Sequence, residues 1–203
     1  MVAKSACTPA PEAKPAPPPT DPHHAAAAKF VAASPGLSPD VAAKYTLDLA
    51  HALSKLPDGV SKEVGKAVGN AQGGIRFHPD LKALQAEAVK IDGKKAAGVL
   101  GFAHDRGMGT NVHLDGGDDA RGTYVHELWH AADNGRFYSD DKGWQAAYKK
   151  DIKKGKKLLS RYALVNESEG FAEFGRVLAE HGDEHMAKHF PACMKHLKAK
   201  GLL

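Results

Sequence analysis

An α+β domain with several helices and a small mixed or antiparallel sheet is what this sequence predicts, from three observations. Apolar residues recur at helical spacing through several segments with recognisable start and stop signals. Two short strand-like runs flank a Gly-rich turn at residues 107–109. Beyond them a helical stretch carries the string His126-Glu127-Leu128-Trp129-His130.

Residues 1–36 are rich in Ala and Pro with scattered Lys, and end at Ser34-Pro35-Gly36. That composition reads as a disordered or polyproline-like leader or linker, because it has no apolar periodicity with which to bury a core. The folded domain is expected over 37–203. Ser38-Pro39-Asp40 supplies an N-cap, a first-turn proline and an early carboxylate, which together start a helix. Val41, Tyr45, Leu49, Leu53 and Leu56 then hold helical spacing up to Pro57, so a helix is expected over 39–56.

A shorter helix is expected over Val60–Val68, stopped by Gly69-Asn70. Gly74-Ile75-Arg76-Phe77-His78 reads as a strand before Pro79, and 80–90 as a helix. The runs 97–104 and 110–114 are expected to pair as strands. His104 and His113 within them are read as ordinary strand residues. Ser139 is expected to open a helix burying Trp144, Ala147, Tyr148 and Ile152. Its other side, continuing past Gly155, gathers Lys149, Lys150, Lys153, Lys154, Lys156 and Lys157. Such a run is normally a solvated face, with an acidic partner segment or nucleic acid as the rival. Met186, Phe190, Cys193 and Leu197 form a last apolar stripe. His181, His185 and His189 stand four apart, but Gly182 and Pro191 interrupt a continuous helix, so no second metal site is expected there.

Composition narrows the function. At 203 residues the chain holds one domain with a sizeable core plus a tail. A net charge of +4 and a pI near 8.9 do not by themselves argue for nucleic acid, and none is expected as a partner. Cys7 and Cys193 are too few for a disulfide framework. No run approaches about 18 apolar residues, so no transmembrane span is expected. The first seven residues lack the apolar stretch of a signal peptide.

The pentapeptide carries the chemistry. Positions i and i+4 of a helix fall about 40° apart on one face. The imidazoles of His126 and His130 can therefore reach one Zn²⁺ at about 2.0–2.1 Å. Glu127 stands beside the first ligand, where its carboxylate can take a proton from water. A catalytic zinc needs a third protein ligand. The spacing that would place it at 136 requires Gly at 133, but Asp133 and Arg136 stand there instead. Downstream, Asn166 is a plausible N-cap with Glu167 and Glu169 in the first turn. Phe171, Phe174 and Leu178 form the apolar stripe of that helix. Glu169 and Glu173 share a different face, which reads either as a solvated acidic side or as ligand carboxylates.

The string Tyr162-x-x-x-Asn166-Glu167-x-Glu169-x-Phe171-Ala172-Glu173, with His130-Ala131-Ala132-Asp133 leading out of the first motif, resembles the catalytic domain of anthrax lethal factor and its relatives. The Pro-Pro endopeptidases are among those relatives. The similarity covers roughly residues 121–180. It implies a zincin-type fold for 37–203 and a gluzincin-type zinc endopeptidase acting on a peptide or protein substrate. It further implies one Zn²⁺ per chain, held by His126, His130 and Glu169, with Glu127 as the base. Tyr162 would be the transition-state donor, and Glu173 would hold a ligand histidine. The family's secreted toxins and exoproteases imply export, against the missing signal peptide, with a cytoplasmic life as the alternative. A monomer is expected. The competing readings are a catalytically retired zincin and a basic binding module acting through Lys149–Lys157. One of the two paired strands is expected to be an edge onto which an extended substrate adds.

Overall fold

The computed structural model describes residues 21–69, 74–92, 101–106, 109–114, 120–134, 136–155 and 157–203. The leader over 1–20, the strand onset at 97–100 and the turn at 107–108 lie outside the described residues.

The folded unit begins earlier than the composition suggests. Helix α1 (Pro22–Ala32) is capped by Asp21, whose side chain accepts from the His23 N–H at 2.9 Å. It packs against α2 (Pro39–Ser54), burying Ala27 and Val31. Ser34 then accepts from the Phe77 N–H at 3.0 Å, tying the segment to the sheet. The boundary at residue 36 is thus corrected: 21–36 belong to the domain. Alanine is the best helix former, and a capped alanine helix can pack closely on small side chains, so low apolar periodicity did not mean disorder here.

Helix α3 (Asp58–Val68) begins directly after Pro57, and α4 (Leu81–Asp92) follows the first strand. The sheet has three strands in the order β1-β3-β2. The central β3 (Gly109–Leu114) runs parallel to β1 (Gly74–Phe77) and antiparallel to β2 (Gly101–Arg106). Ile75, Phe77, Val112 and Leu114 alternate into the core at the two-residue period of strands. Phe77 stacks on Tyr45 of α2 at 4.9 Å and meets Tyr124 edge-on at 5.8 Å. The architecture is therefore α+β, largely helical with a small mixed sheet.

The C-terminal half holds α5 (Ala120–Asn134), α6 (Lys142–Tyr148), α7 (Glu167–His189) and α8 (Pro191–Ala199). Asp141, not Ser139, caps α6, accepting from the Gly143 and Trp144 N–H groups. Ser139 lies in a 3₁₀ turn (Tyr138–Asp140), because its N–H is taken by Asp133 at 2.7 Å. Trp144, Ala147, Tyr148 and Ile152 are buried as their spacing predicts. Gly175 faces the Trp129 ring so closely that any side chain there would overlap the indole. That missing Cβ lets α7 lie directly against α5. Met186, Phe190, Cys193 and Leu197 are buried, with Cys193 a free thiol in the core. Among the described residues, no helix is long and apolar enough to cross a membrane.

Candidate metal centre

Two helices build the site. On α5 the i, i+4 spacing sets the His126 and His130 rings 4.8 Å apart, with their Nε2 atoms at 3.1 Å. On α7 the Asn166 side chain accepts from the Glu169 N–H at 2.8 Å, so the cap fixes the first turn where Glu169 sits. Glu169 Oε2 then lies 3.2 Å from His126 Nε2 and 3.1 Å from His130 Nε2. These three are the one group among the described residues whose ligand atoms converge closely enough to hold a metal ion. Ligand atoms at about 2.0–2.1 Å from a tetrahedral zinc stand about 3.3 Å apart, close to the observed triangle.

The proton positions implied by the neighbours make the fit chemical as well as geometric. His126 Nδ1 lies 3.0 Å from Glu173 Oε1, an acceptor-only group, so Nδ1 carries the hydrogen. His130 Nδ1 lies 3.3 Å from Ser168 Oγ, which itself donates to Asp133 Oδ2 at 3.1 Å. That hydroxyl has spent its proton and accepts from the ring. This orientation leaves the two Nε2 atoms and a carboxylate oxygen facing one point. Three acceptors at about 3 Å repel unless a cation, or a proton on one of them, lies among them. The residues fit a divalent ion.

The electrostatics agree. Burial opposes a charge on His126, but its bonds to Glu169 and Glu173 outweigh it and push its pKa up to about 9. Burial likewise opposes ionisation of Glu169, yet the two imidazoles hold it down at about 2. Glu173 stays well below the usual carboxylate range despite burial, because His126 and Arg176 both bond it. Arg176 donates to both its oxygens, at 2.8 and 3.1 Å. Each ring is therefore oriented by its far nitrogen, the usual arrangement at metal-binding histidines.

Glu127 is buried next to the triangle and is not one of its corners. Burial pushes its carboxyl above the usual range, with the two histidines pulling the other way and Glu169 adding to the rise. Strand β2 runs alongside, and Gly101 is where it touches: a Cβ there would stand 2.9 Å from Glu127 Cγ and 3.0 Å from Thr123 Cγ2. Tyr162 comes from a 3₁₀ turn (Tyr162–Leu164) at the rim, 53% exposed, its ring 5.6 Å from that of His126. Partial burial and the charges of Glu169 and Glu127 push its phenol up to about 12, so it holds its proton throughout the neutral range.

Every residue singled out in the sequence as a site candidate thus reaches this one place: His126, Glu127, His130, Tyr162, Glu169 and Glu173. Ser168, Asp133 and Arg176 were not anticipated. Arg176 stands three residues after Glu173, a helical ion-pair spacing that could have revealed it. Ser168 and Asp133 meet only across two helices, which no local spacing signals. His113 stacks on Phe102 at 4.4 Å and meets His78 at 3.0 Å, outside the metal group. On the lysine-rich face Lys153 pairs with Glu167 at 3.5 Å and covers the Tyr148 ring. No protein-family model matches this sequence, and neither does any curated protein.

Proposed function

We propose that the protein is a zinc-dependent endopeptidase of the gluzincin type, with a lethal-factor-like zincin fold. The observation that carries this reading is the convergence of two imidazole lone pairs and the Glu169 carboxylate beside a buried Glu127 that does not share the ligand triangle. His126, His130 and Glu169 would hold the zinc, which when bound would supply Lewis acidity toward a water and the scissile carbonyl. Glu127, its proton affinity raised by burial, accepts the proton from the attacking water and returns it to the leaving amine. Tyr162 keeps its phenolic proton at neutral pH and donates it as a hydrogen bond to the oxyanion that forms at the scissile carbonyl. Glu173 and Ser168 hold the two rings in the tautomer that leaves Nε2 for the metal.

Strand β2 gives the substrate a place to lie. Its one partner among the described residues is β3, and it passes Glu127 at Gly101. An extended peptide paired along that outer edge would bring a carbonyl past the base. The test is cleavage of a random peptide library by the zinc-loaded chain, read by mass spectrometry, beside Glu127→Gln. Cleavage by the first and not the second is expected. A zinc-loaded chain that cuts nothing would replace this reading with a catalytically retired zincin.

A further inference from the structure

A second group of histidines lies near the far end of α7. Gly182, at φ 78° and ψ 171°, breaks the helix between His181 and His185, while His185 and His189 stand together on the helical stretch that follows. That break, which argued in the sequence against a metal site, does not separate the rings. His181 and His185 stack at 4.8 Å between centroids, and His185 and His189 stand at 4.6 Å. The molecule supplies its own ruler for what such a spacing means. The His126–His130 pair has the same 4.8 Å ring separation and brings its two Nε2 atoms to 3.1 Å. That pair stands edge to face at 77°, whereas His181 and His185 lie nearly parallel at 28° and His185 and His189 at 54°. It is the i, i+4 placing of His185 and His189 on one helical stretch that lets both rings turn toward a common ion.

The chemistry of the cluster selects the kind of ion. Its ligands are imidazole nitrogens, which suit Zn²⁺, Cu²⁺ and Ni²⁺ and do not suit Ca²⁺ or Mg²⁺. The side chains of Lys157 and Lys188 lie near His185. They repel a dication. The Glu180 carboxylate, 3.9 Å from His181 Nε2, opposes that repulsion, although Arg176 already holds it. Because His126, His130 and Glu169 are the one three-ligand group among the described residues, the second cluster works through two rings at a time. It is accordingly weaker and more exposed than the first.

We propose that His185 and His189, with His181 as the alternative partner of His185, form a second, exchangeable site for a divalent transition-metal ion. It shares no residue with the centre built on α5. The test titrates Zn²⁺ into the metal-free full chain against a chromophoric chelator, using wild type, His126→Gln and the double variant His185→Gln/His189→Gln. Wild type should show two classes of site, the weaker at least about 100-fold below the tighter. The double variant should lose only the weaker class, and His126→Gln should weaken only the tighter. Circular dichroism confirms that each variant is folded. In the His126→Gln background, one equivalent of Cu²⁺ should give an electron paramagnetic resonance spectrum with nitrogen couplings from two imidazoles. Wild type without the weaker class, or a weaker class that survives in the double variant, overturns the proposal. Loss of the tight class in wild type with the weak one intact would overturn the zinc-peptidase reading and leave this one standing.

Discussion

The floor and the rim of the candidate site are built on opposite principles. On the floor, His126, Glu127 and Glu173 are buried, and each ring nitrogen that faces away from the triangle has a named partner. At the rim, Tyr162 and Leu164 of the 3₁₀ turn and Val165, which caps it, are 53%, 40% and 62% exposed. The Val165 N–H donates to the Tyr162 carbonyl at 3.0 Å and closes that turn. The geometry of the candidate ion site is preorganised by charge and burial, whereas the rim is left open to solvent. Within the floor the two histidines also differ. His126 leans on a buried carboxylate clamped by Arg176, and His130 on a neutral hydroxyl backed by Asp133.

Five experiments press on that contrast. The largest effect should come from Glu127→Gln, a floor residue outside the ligand set. We expect kcat to fall about 10²–10⁴-fold while zinc content stays near one tightly held ion per chain. Kinetics paired with metal analysis checks it. A concurrent loss of zinc would place Glu127 among the ligands instead.

Next is the pH response of the metal-free floor. His126, raised from 6.5 to about 9, contributes stability that is whole below pH 6.5 and is lost as pH rises through 9. Glu169, lowered from 4.5 to about 2, contributes stability that is whole above pH 4.5 and is lost as pH falls through 2. The metal-free protein should therefore gain most from this pair between those two ordinary values, and its melting temperature should drop from pH 6.5 to 9. At about 1.36 kcal/mol per unit the loss is at most a few kcal/mol. Zinc replaces the proton, so the loaded protein should not show that drop. Parallel slopes for the two forms would mean the triangle does not bind zinc.

The two ring supports should separate under substitution. Glu173→Gln is expected to weaken zinc binding by about 10–100-fold, the usual range for such partners. Ser168→Ala should cost less, because no buried charge is left behind. Chelator competition on both variants decides, and a larger loss in Ser168→Ala would reverse the ranking of the supports.

Deleting residues up to 36 removes α1 without touching floor or rim. Burial of Val31 and Ala27 on α2 suggests a loss of about 2 kcal/mol, or roughly 4–8 °C in melting temperature, with zinc content unchanged. An unaltered melting curve would show α1 to be a passenger.

The smallest effect belongs to the rim. Tyr162→Phe should lower kcat about 10-fold, near 1.4 kcal/mol, with KM and zinc affinity almost unmoved. A rise in KM with kcat intact would turn Tyr162 into a substrate contact.

Features that depend on spacing along one helix are legible in the amino-acid sequence. His126 and His130 face the same way because they are four apart, and Asn166 caps the turn that carries Glu169 because caps are local. The burial of Phe171, Phe174 and Leu178 follows from their period in the same manner. What the sequence hid has a common cause. α1 was concealed by an alanine-rich composition whose stability comes from packing on α2, and α6 opened at Asp141 because Asp133, on another helix, claims the Ser139 N–H. Packing between distant segments brings α5 and α7 together, through Gly175 against Trp129, and sets Ser168 and Asp133 behind His130. His181 also comes alongside His185 across the Gly182 break. A helical period specifies which side chains share a face, but not which other element that face is buried against; that depends on contacts between residues distant in the chain.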